Sequence, residues 1–354
     1  MTTTTRRSES GARMRAAHLV EPGRVELREV AVPEPGPGEL VVRVEAALTC
    51  GTDIKTYRRG HPKIPTPSPM GHEFAGVVAA VGAGVDAFRE GDPIACVPTA
   101  PCGECRPCRR GRENLCPDAV GRMVLGAFAE YVRLPAHIVA TNAFVRPAPL
   151  PAERAAMLEP LACVVHGAAR VALEAAETAA LVGDGPIALL FLQLARRAGA
   201  GRVLLAGKHA ARMEAARALG ADAVVDVTTE PLEEAVDRWT DGAGADVVVE
   251  VVGRPEVWER SASLVAAGGE LLLYGGCAAG TTASFDTYRI HYEEIDVKGA
   301  FHYGRADVRR AWDLLLGGGV ETGPLVTHER ALADLEDALG LVLTREAVKV
   351  ALRP

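Results

Sequence analysis

Between Thr178 and Gly276 five short apolar runs recur, TAALVG, RVLLAG, AVVDV, DVVVEVVG and GELLLYGG, with helix-like stretches between most of them. Runs that are apolar throughout, rather than alternating, suit strands buried on both faces, and such strands are parallel ones covered by crossover helices. This half of the chain is therefore expected to form a doubly wound α/β sheet. The preceding half has another texture. From Arg15 to about Val145 the β-type runs VVRVEAA, FAGVVAAVG and AEYVRL are broken by proline and glycine, which predicts an antiparallel β domain with loops. A helical segment around 152–172 joins the two. The sheet region is expected to end near Tyr292. The run IDVKGAFHYG then opens a further strand, and with helices over Ala306–Leu316 and Leu332–Leu343 the chain returns to its first domain. The division expected is a disordered polar tail over 1–13, a β domain over 14–160 and 295–354, and a parallel-sheet domain over 161–294.

At 354 residues the chain is too long for one ordinary core, in keeping with two domains. Its 48% hydrophobic content excludes disorder over most of the length. The 46 acidic and 39 basic residues leave a net charge of -7, and no basic stripe is interleaved with aromatics. Nucleic acid is thus not an expected partner, whereas a polar, neutral or cationic small molecule is. No stretch of about eighteen apolar residues occurs, and MTTTTRRSESGARMRA lacks the apolar segment of a secretory signal. A soluble, cytoplasmic protein without a membrane partner is expected.

In LVGDGPIALLFLQLARRAGAGRVLLAGKH, Gly183, Gly185 and Ala188 fit G-x-G-x-x-A after a strand, with Pro186 and Ile187 at the start of the following helix. The first glycine permits the tight turn, the second lets a pyrophosphate approach the backbone, and the small third residue allows close helix packing. The next strand ends in an acid when the adenine ribose carries a free 2'-hydroxyl, because a carboxylate accepts from the hydroxyl and repels a phosphate. Here that position is Gly207, followed by Lys208 and His209, with Arg212 one turn along. The missing acid and the nearby cations predict NADP(H) over NAD(H); the plainer alternative makes Lys208 and Arg212 solvated residues of a helix start. Asp184, inside the turn, would repel a pyrophosphate, so its side chain is expected to face solvent or a neighbouring backbone amide.

Cys102, Cys105, Cys108 and Cys116 follow C-x2-C-x2-C-x7-C, a spacing suited to a closed all-thiolate zinc site that holds a loop and does no chemistry. Disulfides or free thiols are the alternative. Upstream, Cys50 in TCGTD with His72 and Glu73 in GHEFAG supply a thiolate, an imidazole and a carboxylate, a set that suits zinc with one position left open. Cys96, Cys163 and Cys277 have apolar neighbours and read as buried small hydrophobes. Two zinc sites and a dinucleotide turn, in this order, point to hydride transfer.

The succession TCGTD, GHEFAG, CGEC to ENLC, EPLACVVHG and GDGPIA resembles the zinc-dependent medium-chain dehydrogenase/reductase family of the alcohol dehydrogenase superfamily, near its sorbitol and threonine dehydrogenase branch, over essentially Met14 to Pro354. The resemblance implies a GroES-like antiparallel β catalytic domain, a Rossmann domain and a catalytic zinc in the cleft between them. It implies Cys50 and His72 as ligands, with Glu73 beside them and Glu159 of LEPLAC where alcohol dehydrogenases carry a cysteine. Which of the two glutamates touches zinc directly stays open. Thr52 stands where the family keeps a relay hydroxyl, and Asp53 matches the residue that orients the zinc-bound histidine. Lys55 occupies the place of a relay histidine; with an ordinary lysine pKa of about 10.4 it is better suited to substrate contact or electrostatics. Tyr57, Arg58 and Arg59 either touch a polyhydroxylated substrate or lie on exposed surface. His166 reads as structural or cofactor-adjacent, and His291, Tyr292 and His302 are candidates for the cleft lining. A homodimer or homotetramer through the nucleotide domain is implied, with GGELLLYGG and its neighbouring strand as the edge.

The expected activity is zinc-dependent hydride transfer between NADP(H) and a secondary alcohol or ketone of a sugar, cyclitol or amino sugar, in the direction of ketone reduction. NAD-dependent oxidation of a polyol or threonine-type amino alcohol is the alternative. A non-enzymatic nucleotide sensor would have little use for an open metal position.

Overall fold

The computed structural model describes residues 11–60 and 64–354. The tail expected over 1–13 lies outside the described residues as far as Ser10, and the first strand already begins at Arg13. The strands, in chain order, are β1 (Arg13–Glu21), β2 (Arg24–Ala31), β3 (Leu40–Leu48), β4 (Ser68–Pro69), β5 (Glu73–Val81), β6 (Pro93–Cys96), β7 (Tyr131–Leu134), β8 (Ala143–Val145), β9 (Thr178–Val182), β10 (Arg202–Gly207), β11 (Ala223–Asp226), β12 (Ala245–Glu250), β13 (Val265–Leu273), β14 (Asp296–Gly299), β15 (Val326–Ala331) and β16 (Lys349–Arg353).

The first domain is built on a mixed sheet in the order β15-β16-β3-β5-β6-β8, with β7 paired to β3, and on a small antiparallel sheet β2-β1-β4. Its strands pair antiparallel except for β15 and β16, which run parallel to one another. Within β3, Leu40, Val42 and Val44 enter the core of this domain, but a register shift between Val44 and Ala46 reverses the alternation. Beyond it Ala47 faces that core, while Ala46 and Leu48 enter the core shared with the second domain. An extra residue in one strand re-aims the side chains that follow it. Here it turns the end of β3, and Cys50 just after it, toward the second domain.

The second domain is an all-parallel sheet in the order β11-β10-β9-β12-β13-β14. Counted within the domain this is 3-2-1-4-5-6, so the chain reverses its winding between β9 and β12, and a crevice opens there beyond the carboxyl ends of the strands. All five residues of β9 are buried, as a strand covered on both faces requires. The helix Pro186–Ala198 starts with proline, whose missing N–H costs nothing in the first turn, and ends at Gly199 with φ 92°.

Two expectations need correction. The strand at 296–299, expected to open the return to the β domain, is the sixth strand of the parallel sheet, paired to β13. The helix Arg305–Leu316 likewise packs through Val308, Ala311, Trp312 and Leu315 into the core that holds Leu161 and Val165 of the helix Leu158–Ala168. The return comes with β15 and β16. An edge strand with mostly exposed side chains carries no apolar run, so its sheet membership left no periodic trace.

Candidate active site and metal centres

Cys50 caps the helix Gly51–Arg59. Its Sγ accepts from Thr52 N at 3.4 Å, and its own N–H donates to Asp53 Oδ2 at 3.0 Å, so the thiol and the carboxylate are fixed by one helix start. The antiparallel register sets Leu48 of β3 opposite Glu73 of β5, which carries Cys50 alongside His72. The ligand atoms of Cys50, His72 and Glu73 consequently all lie within 4.8 Å of one another. His72 and Glu73 are buried, at 5% and 0% exposure. Asp53 Oδ1 stands 3.3 Å from His72 Nδ1. Burial opposes a charge on His72, but Asp53 and Cys50 outweigh it and hold the imidazole pKa well above its usual value.

Glu73 is also gripped from behind. Lys349, at the start of β16, donates from Nζ to Glu73 Oε2 at 2.5 Å and to Thr49 O at 2.9 Å. Burial works against the ammonium, yet Glu73 and then Cys50 keep it protonated above the ordinary lysine range. Glu73 Oε1 has no hydrogen-bond partner among the described residues. Lys349 was absent from the sequence-derived site. Its signal was a lone charge inside the apolar run AVKVAL, because a buried lysine requires a partner.

Glu159 is the second residue of the helix Leu158–Ala168 and stands outside the compact trio. Burial raises its pKa to about 7, against the influence of His72 and Lys349 and with that of Glu73, which places its carboxyl beside the same group of residues. Cys163, one turn on, approaches Glu159 Oε1 at 3.7 Å. Cys163 is therefore half-buried against a carboxyl, whereas Cys96 is a buried core residue as expected and Cys277 is half-buried. Thr52 is half-buried and Lys55 exposed on the helix Gly51–Arg59. Burial, then Glu250 and Glu256, raise the Cys277 thiol. Tyr57 packs against the β-domain core; Arg58 and Arg59 are exposed. His166 pairs with Asp307 at 3.0 Å, His291 and Tyr292 lie exposed on the short helix Thr287–Tyr292, and His302 Nε2 meets Thr99 Oγ1 at 2.8 Å.

The four-cysteine lobe folds around its own thiols. Cys105 and Cys108 have Sγ atoms 3.4 Å apart, Cys102 and Cys116 3.6 Å, and all four lie within 4.8 Å of each other without a disulfide. Thiolates about 2.3 Å from a zinc sit roughly 3.8 Å from one another, so the lobe has the dimensions that the ion needs. The lobe is braced on the segment entering the helix Arg305–Leu316: Arg305 Nε donates to Glu113 Oε1 at 2.7 Å, and Asn114 Nδ2 to Phe301 O at 3.0 Å.

At the dinucleotide turn Gly183 has φ 127°, and a side chain there would strike Val251 at 2.8 Å. Gly185, by contrast, faces open space at the start of the helix, and Ala188 is fully buried. Pro186 forms the first turn with the half-buried Ile187. This cradle fits a pyrophosphate. Asp184 turns inward, its Oδ2 accepting from Lys208 N at 2.8 Å, His209 N at 2.9 Å and His209 Nδ1 at 2.8 Å. Of the two orientations expected, the backbone amides are the one adopted. Lys208 is exposed beside buried Gly207. Arg212 differs from the expectation of a displayed cation: it is 4% exposed and donates from Nη2 to Ala347 O at 2.6 Å. The stretch at 347 lies beyond the range of any local pattern, so this use of Arg212 could not be read from its neighbours.

Known proteins resemble this chain in both domains. Residues 36–143 match the alcohol dehydrogenase GroES-like domain, and residues 186–317 match the zinc-binding dehydrogenase domain. A sorbitol dehydrogenase of Bacillus subtilis is 32% identical over 349 residues, covering 96% of this chain and 97% of that protein. An L-threonine 3-dehydrogenase of Bacillus velezensis is 31% identical over 334 residues, covering 93% and 95%. A crystal structure from Sinorhizobium meliloti, described as a zinc-binding dehydrogenase bound to NADP, superposes with a TM-score of 0.89 at 35% identity over 97% of this chain and 100% of that one. With both domains matched in order and relatives aligned nearly end to end, the chain belongs to the zinc-dependent alcohol dehydrogenase family, with dehydrogenases of the sorbitol and threonine type among its relatives.

Proposed function

We propose that this protein transfers hydride between NADP(H) and a secondary alcohol or ketone in a sugar, cyclitol or amino-sugar framework, working as a ketone reductase. The observation that carries the reading is the end of β10, where Gly207 leaves no acid for a ribose hydroxyl and Lys208 stands exposed beside it. The NADP bound to the Sinorhizobium meliloti protein supports the cofactor, and the sorbitol dehydrogenase supports a polyhydroxylated substrate.

In this reading Cys50, His72 and Glu73 hold the catalytic zinc with Glu159 within reach, and Cys102, Cys105, Cys108 and Cys116 hold a structural one. A zinc ion in the first set supplies Lewis acidity to the substrate oxygen. Asp53, with Oδ1 3.3 Å from His72 Nδ1, favours a proton on that nitrogen and would leave Nε2 to the metal. Thr52 can accept and donate a proton at its hydroxyl, which suits it to carry the substrate's proton out of the cleft. Lys55, exposed on the helix capped by Cys50, adds positive charge on that side of the metal set. Gly183, Gly185, Pro186, Ile187 and Ala188 cradle the pyrophosphate, while Lys208 and His209 face the adenosine end. The uniformly free cysteines suit a reducing, cytoplasmic setting, and the exposed edge strand β14 suits pairing with a second copy in a homo-oligomer. The described residues contain no helix long and apolar enough to cross a membrane.

The threonine dehydrogenase among the relatives favours a second reading, oxidation of a polyol or threonine-type amino alcohol with NAD. Titration of zinc-loaded protein with NADPH and NADH, followed by a panel of keto sugars, separates the two. Tighter NADPH binding with ketone reduction is expected; tighter NADH binding with alcohol oxidation overturns the first reading.

A further inference from the structure

We infer that Asp184 determines cofactor specificity, by filling the space of the absent strand-end acid and holding Lys208 and His209 in place to receive a 2'-phosphate. The inference rests on the NADP(H) reading above. A Cβ built on Gly207 would lie 2.6 Å from Asp184 Cβ and 2.7 Å from its Oδ2. A carboxylate at position 207 is thus excluded by the carboxylate at 184, and one acid has been exchanged for another in space. The two acids do different work. A strand-end acid points outward to ribose, whereas Asp184 is 7% exposed and its Oδ2 is saturated by three N–H donors. Arg212 Nη1, 3.9 Å from Oδ1, adds positive charge on the other oxygen.

An ionised carboxylate can only accept, so His209 Nδ1 must be the protonated nitrogen, and Nε2 is the ring atom left for a ligand. The same anchor ties down the backbone amides of Lys208 and His209, which sets the direction in which the exposed Lys208 side chain leaves the strand. The Lys208 ammonium and the His209 ring are thereby held on the outer side while the acid that positions them faces inward. Burying the acid behind its donors also limits its repulsion of an approaching phosphate. Asp184 is a positioning residue in this account and touches no substrate.

The test uses the full-length, zinc-loaded chain and measures binding of NADPH, NADH and adenosine 2'-monophosphate by calorimetry. Wild type should bind NADPH at least about tenfold more tightly than NADH, a charge-assisted contact being worth that much. Asp184→Ala should weaken NADPH and adenosine 2'-monophosphate by about tenfold and change NADH by less than about threefold. Moving the acid, Asp184→Gly with Gly207→Asp, removes the clash and should reverse the preference in favour of NADH, a gain that a merely structural residue would not produce. Should the exchange variant not fold, Asp184→Asn replaces it: its oxygen still accepts from the amides that place Lys208, so the NADPH preference should stay within about threefold of wild type, and its loss there overturns the inference. Equal weakening of both cofactors in Asp184→Ala, or none, overturns the inference and leaves the NADP(H) reading standing. Wild type that prefers NADH overturns both.

Discussion

Lys349 and Glu73 form an ion pair at 2.5 Å with 2% and 0% of their side chains exposed, joining β16 to the first residue of β5, next to His72. The pair lies directly behind the proposed catalytic metal set. Its lysine also donates to Thr49 O, one residue before Cys50, so a single ammonium steadies both strands that present the ligands.

Removing the lysine should therefore be costly. Lys349→Met leaves a buried carboxylate uncompensated and is expected to destabilise the protein by about 3–5 kcal/mol. Denaturant unfolding of protein stripped of metal measures this, and a loss below about 1 kcal/mol would show that Glu73 can be neutralised without its partner.

Asp53→Asn should spare the fold but release His72 Nδ1 from its carboxylate. Loss of such a partner to a metal-binding histidine typically costs about 10–100-fold in metal affinity or activity. Zinc competition with a chelator, read beside kcat, checks it; unchanged affinity and rate would remove Asp53 from the site.

Gly183 should tolerate no side chain. Gly183→Ala meets both a φ of 127° and the Val251 methyl at 2.8 Å. An overpacked position of this kind is expected to cost about 1–3 kcal/mol, with loss of dinucleotide binding. Calorimetry with both cofactors and a thermal melt report the two effects separately.

Zinc should be present at about two ions per chain, falling to about one when Cys116 is replaced by serine. Because the lobe is tied to the second domain through Glu113 and Arg305, that variant should also melt at lower temperature. Metal analysis that finds the same zinc content in both proteins would dismiss the thiol lobe as a zinc site.

In metal-free protein the thiols of the lobe should differ in reactivity. Hydrogen bonds from the backbone of Cys105 and Glu104 lower Cys102 to about 7, whereas burial, followed by Cys105, raises Cys108 to about 12. Above pH 7 Cys102 is a thiolate, so its alkylation should accelerate as the pH rises through that value while Cys108 stays inert. Peptide mapping after iodoacetamide treatment checks the order, and bound zinc should abolish it.

Much of this protein was legible locally. The uniformly apolar runs marked the parallel strands because those strands are covered on both faces, and G-x-G-x-x-A marked its turn because a φ of 127° against Val251 leaves room for little but hydrogen at Gly183. The four cysteines within one short loop announced their cluster, since thiols so close in sequence cannot be far apart in space. The candidate residues Cys50, His72 and Glu73 could be named individually, but their meeting depends on the pairing of Leu48 with Glu73 and on the register shift in β3. The tertiary structure alone decided the rest. It set Lys349 behind Glu73 across 276 residues of chain, placed β14 in the parallel sheet, withdrew Arg212 to Ala347 and folded Asp184 over Gly207. The physical reason is shared. A motif is written in neighbours whose spacing the backbone fixes, whereas a buried charge or a polar edge strand takes whichever partner the packed fold supplies, and that partner is close only in space.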